Sequence, residues 1–129
     1  MSTSFLTRAT PFTSVLINGV GTAESPVFDR ALMGSLEALS LRVASATLIA
    51  DVKVQMATSP DGVLFDAYAD NADIVSSTLL AKASNPEGYN AYPLANPLNR
   101  YFKFKITGVA INPVDTLADA YLFFREGDI

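Results

Sequence analysis

The chain has 129 residues, with nine Lys or Arg against thirteen Asp or Glu, and it contains neither cysteine nor histidine. That excludes disulfides and thiolate metal sites, and removes the commonest general base and transition-metal ligand. A net charge of −4 and a pI of about 4.6 exclude a basic stripe of the kind that grips a phosphate backbone.

A mass of 13.8 kDa is that of one domain. Hydrophobic residues make up 50% of the chain and charged residues 17%, against about 25% charged in an ordinary soluble domain. No apolar run approaches the roughly 20 residues of a membrane-spanning helix. The surplus apolar surface is therefore expected to be covered by neighbouring subunits.

Residues 1–12, MSTSFLTRATPF, are rich in Ser and Thr with Phe5, Leu6 and Phe12 as isolated apolar anchors. No period is visible, and the segment reads as an extended arm whose anchors lie on a neighbouring subunit. It has no apolar core of signal-peptide length, so synthesis in a cytoplasm is expected. Residues 13–129 are expected to form the single folded domain.

Residues 13–18 form a short β-rich run that stops at Gly19 and Gly21. Residues 22–31 read as a loop, because Pro26 has no N–H for a central ladder. Around residues 35–44, Leu32, Leu36, Leu39 and Val43 fit a helix, whereas Leu39, Leu41 and Val43 also alternate as in a strand. The strand is preferred, because residues 46–57, ATLIADVKVQMA, are unambiguous. Leu48, Ala50, Val52, Val54 and Met56 share one face there, and Asp51, Lys53 and Gln55 share a wet one. Ser59, Pro60, Asp61 and Gly62 supply a type I turn. Val63, Leu64 and Phe65 are then expected to resume a strand and complete a hairpin.

Residues 66–99 carry weaker signals. Residues 74–83 read as a strand or a short helix, and residues 89–94 as an edge strand ending near Pro93. The pattern is clear again over residues 100–107, where Phe102, Phe104 and Ile106 alternate with Tyr101, Lys103 and Lys105. After a turn at Asn112 and Pro113, residues 116–125 place Ala118, Ala120, Leu122 and Phe124 on one face. Leu117, Asp119, Tyr121, Phe123 and Arg125 form the other face, which is also largely apolar. A strand greasy on both sides sits between two layers or two subunits. Short strands with turns between them predict an all-β chain, an antiparallel β-sandwich or jelly-roll-like barrel carrying the N-terminal arm.

The chemistry-bearing residues are few. No serine stands in a Gly-x-Ser-x-Gly elbow, and no histidine is present to activate one. Any two of thirteen acids fit a glycosidase pair, so none is singled out. No enzyme activity, metal or cofactor is expected. Asp61, Asp66, Asp70 and Asp73 crowd a turn and a loop without calcium-loop spacing, and read as solvated turn residues. Tyr89 and Tyr92, with Asn90, Asn96 and Asn99, form a candidate site for a sugar ring or a peptide. Arg100, Lys103 and Lys105 make a cationic row that either meets an acidic neighbour or blocks sheet-to-sheet aggregation.

The run Val52-Lys53-Val54-Gln55-Met56-Ala57-Thr58-Ser59-Pro60-Asp61-Gly62 resembles the strand and Ser-x-Asp-Gly turn of small β-sandwich virion proteins of tailed bacteriophages. The run Asn99-Arg100-Tyr101-Phe102-Lys103-Phe104-Lys105-Ile106-Thr107-Gly108 is similar to their arginine-aromatic alternating strand, and an apolar last strand is also usual there. The tryptophan that typically follows the Asp-Gly turn is absent, with Phe65 nearby. The resemblance implies a capsid decoration (cement) protein, or a tail or neck component, assembled into the virion in the host cytoplasm. It implies a homo-oligomer, a trimer if it sits at capsid three-fold positions, with the major capsid protein or other virion subunits as partners and no nucleic acid or membrane. The expected interface residues are Phe5, Leu6, Phe12, Tyr121 and Phe123. The alternative is a carbohydrate- or peptide-binding module using Tyr89 and Tyr92.

Overall fold

A computed structural model describes residues 6–17, 21–44, 49–81, 89–108 and 116–125. The chain is mostly β and antiparallel. Its strands are β1 (Leu6–Leu16), β2 (Thr22–Glu24), β3 (Phe28–Asp29), β4 (Ser35–Ala44), β5 (Ile49–Ser59), β6 (Val75–Ala81), β7 (Asn90–Pro93), β8 (Tyr101–Gly108) and β9 (Leu117–Arg125). One helical turn, Arg30–Met33, and one 3-10 turn, Tyr68–Asp70, join them.

Two sheets form a sandwich. The first has the order β1-β9-β4-β7, and the second the order β2-β8-β5-β6 with β3 also on β8. Counted as one interrupted strand, β2 and β3 make the topology that of a jelly roll. The first strand lies beside the last, the second beside the last but one, and so inward to β5 beside β6. One long antiparallel hairpin rolled upon itself gives this double Greek key.

The interruption has a local cause. Pro26 has no N–H, so the ladder to β8 breaks after Glu24. Ser25 repairs it: its N–H donates to the Phe104 carbonyl at 2.9 Å, and its buried hydroxyl accepts from the Phe104 N–H at 2.8 Å. The segment expected to be a loop therefore closes one side of the second sheet. Replacing Ser25 with alanine should strand the Phe104 N–H and cost ~1–3 kcal/mol in urea denaturation. A loss below the error of the measurement would show that the hydroxyl does not replace a ladder bond.

The period-two faces expected of β5, β8 and β9 meet in the core. Val52, Val54, Phe102, Phe104, Ile106, Ala118, Ala120 and Leu122 are all at most 1% exposed, packed with Leu39 and Leu41 of β4. Residues 35–44 are a strand throughout, and the edge strand expected near Pro93 is β7 at the margin of the first sheet.

Other expectations are corrected. The arm does not extend to residue 12: from Leu6 onward it is β1, paired with β9 from Leu6 opposite Arg125 to Leu16 opposite Leu117. The register slips by one residue between Ala9 and Phe12 and again between Phe12 and Val15, near Ser14 at φ 47°. Each slip reverses which way the following side chains point. Phe12 therefore lies in the core, 1% exposed, and is not a surface anchor. Phe5 lies outside the described residues, and for Leu6 only the backbone pairing is described.

The strand expected at Val63, Leu64 and Phe65 does not form. Ser59 and Asp61 hold a tight bend instead. The Ser59 hydroxyl accepts from the N–H of Gly62 at 2.9 Å, and Asp61 Oδ1 accepts from the N–H groups of Val63 and Leu64 at 2.8 and 3.0 Å. Gly62 takes φ +78°, which glycine adopts without strain. The chain then folds back over the second sheet before β6 pairs with β5.

Candidate functional site

The two outer faces of the sandwich differ. On the second sheet, the outward residues of β5 are covered: Gln55 is 6% exposed, Ala57 1% and Ser59 0%. Of the residues expected on that strand's wet face, Gln55 is thus buried, whereas Lys53 stays half-exposed and the Asp51 side chain lies outside the described residues. The cover is the fold-back itself. Lys103 Nζ lies 4.7 Å from the Phe65 ring centroid, and Lys105 Nζ lies 4.7 Å from that of Tyr68.

Two of the three cations expected to form a row, Arg100 and Lys103, are paired within the chain. Arg100 makes a two-pronged pair with Asp29, both contacts at 2.8 Å. Lys103 meets Glu24 at 3.0 Å. The strand is internal to its sheet, flanked by β2, β3 and β5, so these residues do not block an edge.

On the first sheet no loop among the described residues roofs the outer face. The register sets Arg8, Phe123, Ala38 and Pro93 in one row across β1, β9, β4 and β7. The next row holds Tyr121, Ser40 and Ala91, and the one after it Asp119 and Arg42. Aromatic side chains stand among small ones, so the rings project. Tyr121 is the hub: its ring lies 5.3 Å from Tyr89, 6.4 Å from Phe123 and 4.7 Å below the Arg8 guanidinium. Such contacts fix ring orientation at a cost of little further entropy on binding. Burial, and a hydrogen bond with Tyr121, hold the Tyr89 phenol above its ordinary pKa. Around the rings run ion pairs, Arg42–Asp119 at 3.5 Å and Arg125–Glu37 at 3.0 Å. Apolar rings inside a charged rim are the usual anatomy of a protein interface.

Tyr121 and Phe123 are thus half-exposed on this face, where the sequence pattern puts them. Tyr89 joins them. Tyr92 does not: it lies opposite Leu39 and packs on the core, so the two tyrosines expected to hold one ligand point to opposite sides of β7. Arg8, which completes the face, carried no sequence signal beyond its charge.

Three of the four loop acids serve the fold. Asp66 accepts from the N–H and the hydroxyl of Thr58 at 2.7 and 3.0 Å, Asp73 lies 3.9 Å from Lys53, and Asp61 caps its bend. Among the described residues no group of three or more potential ligands is placed to hold a metal.

Four carboxylates titrate below their ordinary values. The Lys103 hydrogen bond lowers Glu24, and the Arg100 hydrogen bond lowers Asp29. The N–H groups of Leu64 and Val63 lower Asp61. Burial pushes Asp66 up, but hydrogen bonds from Thr58 and Asn71 outweigh it. A carboxylate that is more acidic folded than unfolded adds stability above its ordinary pKa and loses it as protons bind below. The ordinary values are 3.8 for Asp and 4.5 for Glu. Urea midpoints should therefore be level above about pH 5 and fall steadily from there toward pH 2. A midpoint that rises on acidification would contradict these pairings.

No protein-family model, curated protein or solved structure gives a significant match to this chain.

Proposed function

We propose that the chain is a structural subunit, not a catalyst, and that it assembles through the open outer face of the first sheet. One observation carries this reading. The fold covers one sheet's outer face with its own loop, whereas on the other Tyr121 and Phe123 stay half-exposed, in contact with the exposed Tyr89 and Arg8, and no loop among the described residues roofs them. Tyrosine and arginine at the centre of a patch are the residue types that dominate protein interfaces. The first partner is a second copy of the chain.

Within that class, a virion role as a capsid decoration protein fits best, with a tail or neck component as the alternative. The support is the resemblance of residues 52–62 and 99–108 to phage virion sandwiches, together with a jelly-roll topology that capsid proteins often use. The second support is an analogy of fold. The sugar-binding alternative loses support, because Tyr92 is turned to the core. The test is sedimentation of the purified chain over a rising concentration series. A reversible or stable oligomer is expected. A monomer at every concentration, with no binding to a particle, removes the proposal.

A further inference from the structure

On the open face the two central strands carry opposite patterns. The outward residues of β9 run Asp119, Tyr121, Phe123, Arg125: acid, ring, ring, base. Beside the first three, on β4, stand Arg42, Ser40 and Ala38. Glu37 follows, the extra residue where the register shifts between Leu36 and Ala38, and its carboxylate lies 3.0 Å from Arg125. The β4 order is thus base, small, small, acid. Each row sets a charge beside its opposite or a ring beside a small residue.

Such a surface is complementary to itself. A two-fold axis running along the strands, between β9 and β4, keeps each row at its own level and sets β9 of each copy over β4 of the other. Phe123 then comes down on Ala38, and the two Tyr121 rings meet beside Ser40. Asp119 faces Arg42, and Arg125 faces Glu37. The other face-to-face placements fit less well. An axis along β9 itself sets Asp119 on Asp119 and Arg125 on Arg125. An axis across the strands matches the charges but stacks ring on ring over β9 and leaves a void between the small residues of β4. Within one chain Asp119 already accepts from the Ser14 N–H at 2.7 Å and lies 3.5 Å from Arg42. A carboxylate offers about four lone-pair sites, so a guanidinium of the second copy joins these contacts without displacing them.

We propose that two copies pair face to face in this way, as a closed two-fold dimer in which Ala38, Ser40, Arg42 and Glu37 receive the ridge of β9. This inference rests on the self-assembly reading above and adds the mating geometry and the subunit count. An interface that uses one patch on both subunits closes at two copies. Aligned sheets pack ~10 Å apart with their strands within ~30°, the arrangement this axis produces. Four strands of these lengths, spaced ~4.8 Å and rising ~3.4 Å per residue, cover ~1,100 Å² in the pair. That clears the ~1,000 Å² expected of a specific interface.

Charge exchange tests the pairing without touching the rings. Glu37→Arg and Arg125→Glu are made as single variants, and urea denaturation checks that each is folded. In either one alone, like charges meet at both ends of the dimer, so self-association should weaken at least about tenfold. Mixed in equal amounts, the two should dimerise to within about threefold of the wild type, because opposite charges again meet at both ends. Ala38→Phe fills the seat of the Phe123 ring and should also weaken the dimer at least about tenfold. The pairing is overturned if Glu37→Arg alone associates as the wild type does, if the mixture stays monomeric, or if the wild type sediments as a larger oligomer. If these variants change nothing while glutamates at Tyr121 and Phe123 abolish association, the mating geometry falls and the face stands. A wild type that is a monomer at every concentration removes both.

Discussion

Replacing Tyr121 and Phe123 together with glutamate is expected to convert the proposed oligomer into a folded monomer. Both rings lie on the open face, and neither belongs to the buried core. Each aromatic anchor at the centre of an interface contributes on the order of 2 kcal/mol or more. Each new carboxylate, buried against a neighbour without a partner, adds a further penalty. Together these weaken association by at least about three powers of ten. The fold should lose far less, because only the surface contacts among Arg8, Tyr89, Tyr121 and Phe123 disappear, ~1–2 kcal/mol in all. Sedimentation measures the first effect and urea denaturation the second. A variant that still sediments as the wild type does would place the interface elsewhere.

Phe102→Ala is expected to give the largest loss of stability, ~3–5 kcal/mol. Phe102 is fully buried, with its ring 5.4 Å from Phe28 in a stacked pair and 5.6 Å from Phe104 edge-on. Its backbone lies opposite Phe28 on one side and Thr58 on the other. Alanine leaves a cavity at the centre of the second sheet, where two neighbouring strands limit collapse. It also removes the ring that holds β3 against β8. A domain of this size has a total stability of ~5–15 kcal/mol, so the variant should unfold at a much lower urea concentration. Leu32→Ala provides the contrast: this residue is 79% exposed, and its loss should stay within about 0.5 kcal/mol. A small cost at Phe102 would mean that β3 does not pack as described.

Much of the fold was legible in residue order. Alternation in β5, β8 and β9 needs no partner to be read, because a pleated strand sends successive side chains to opposite sides. The apolar second face of β9 pointed to Tyr121 and Phe123 for the same reason. Where the local pattern failed, a side-chain hydrogen bond to the backbone had overruled it. Val63 and Leu64 look like a strand, but Asp61 binds their N–H groups and turns the chain away, leaving both exposed. Residues 22–29 look like a loop because Pro26 breaks them, yet Ser25 completes the ladder with Phe104, 79 residues later.

By itself, the sequence determined an all-β chain without histidine or cysteine chemistry, and placed more apolar residues on its last strand than one core face takes up. Only the tertiary structure decided which surfaces those residues occupy. The two slips of β1 against β9 sent Phe12 inward, and Pro11, which has no ladder N–H, is the one mark of a break beside it in the sequence. The fold-back of Phe65 and Tyr68 covered one sheet and left the other open. The physical reason is the same in both cases. Side-chain direction in a strand is a parity, and parity and cover are fixed by pairing partners that lie far away along the chain.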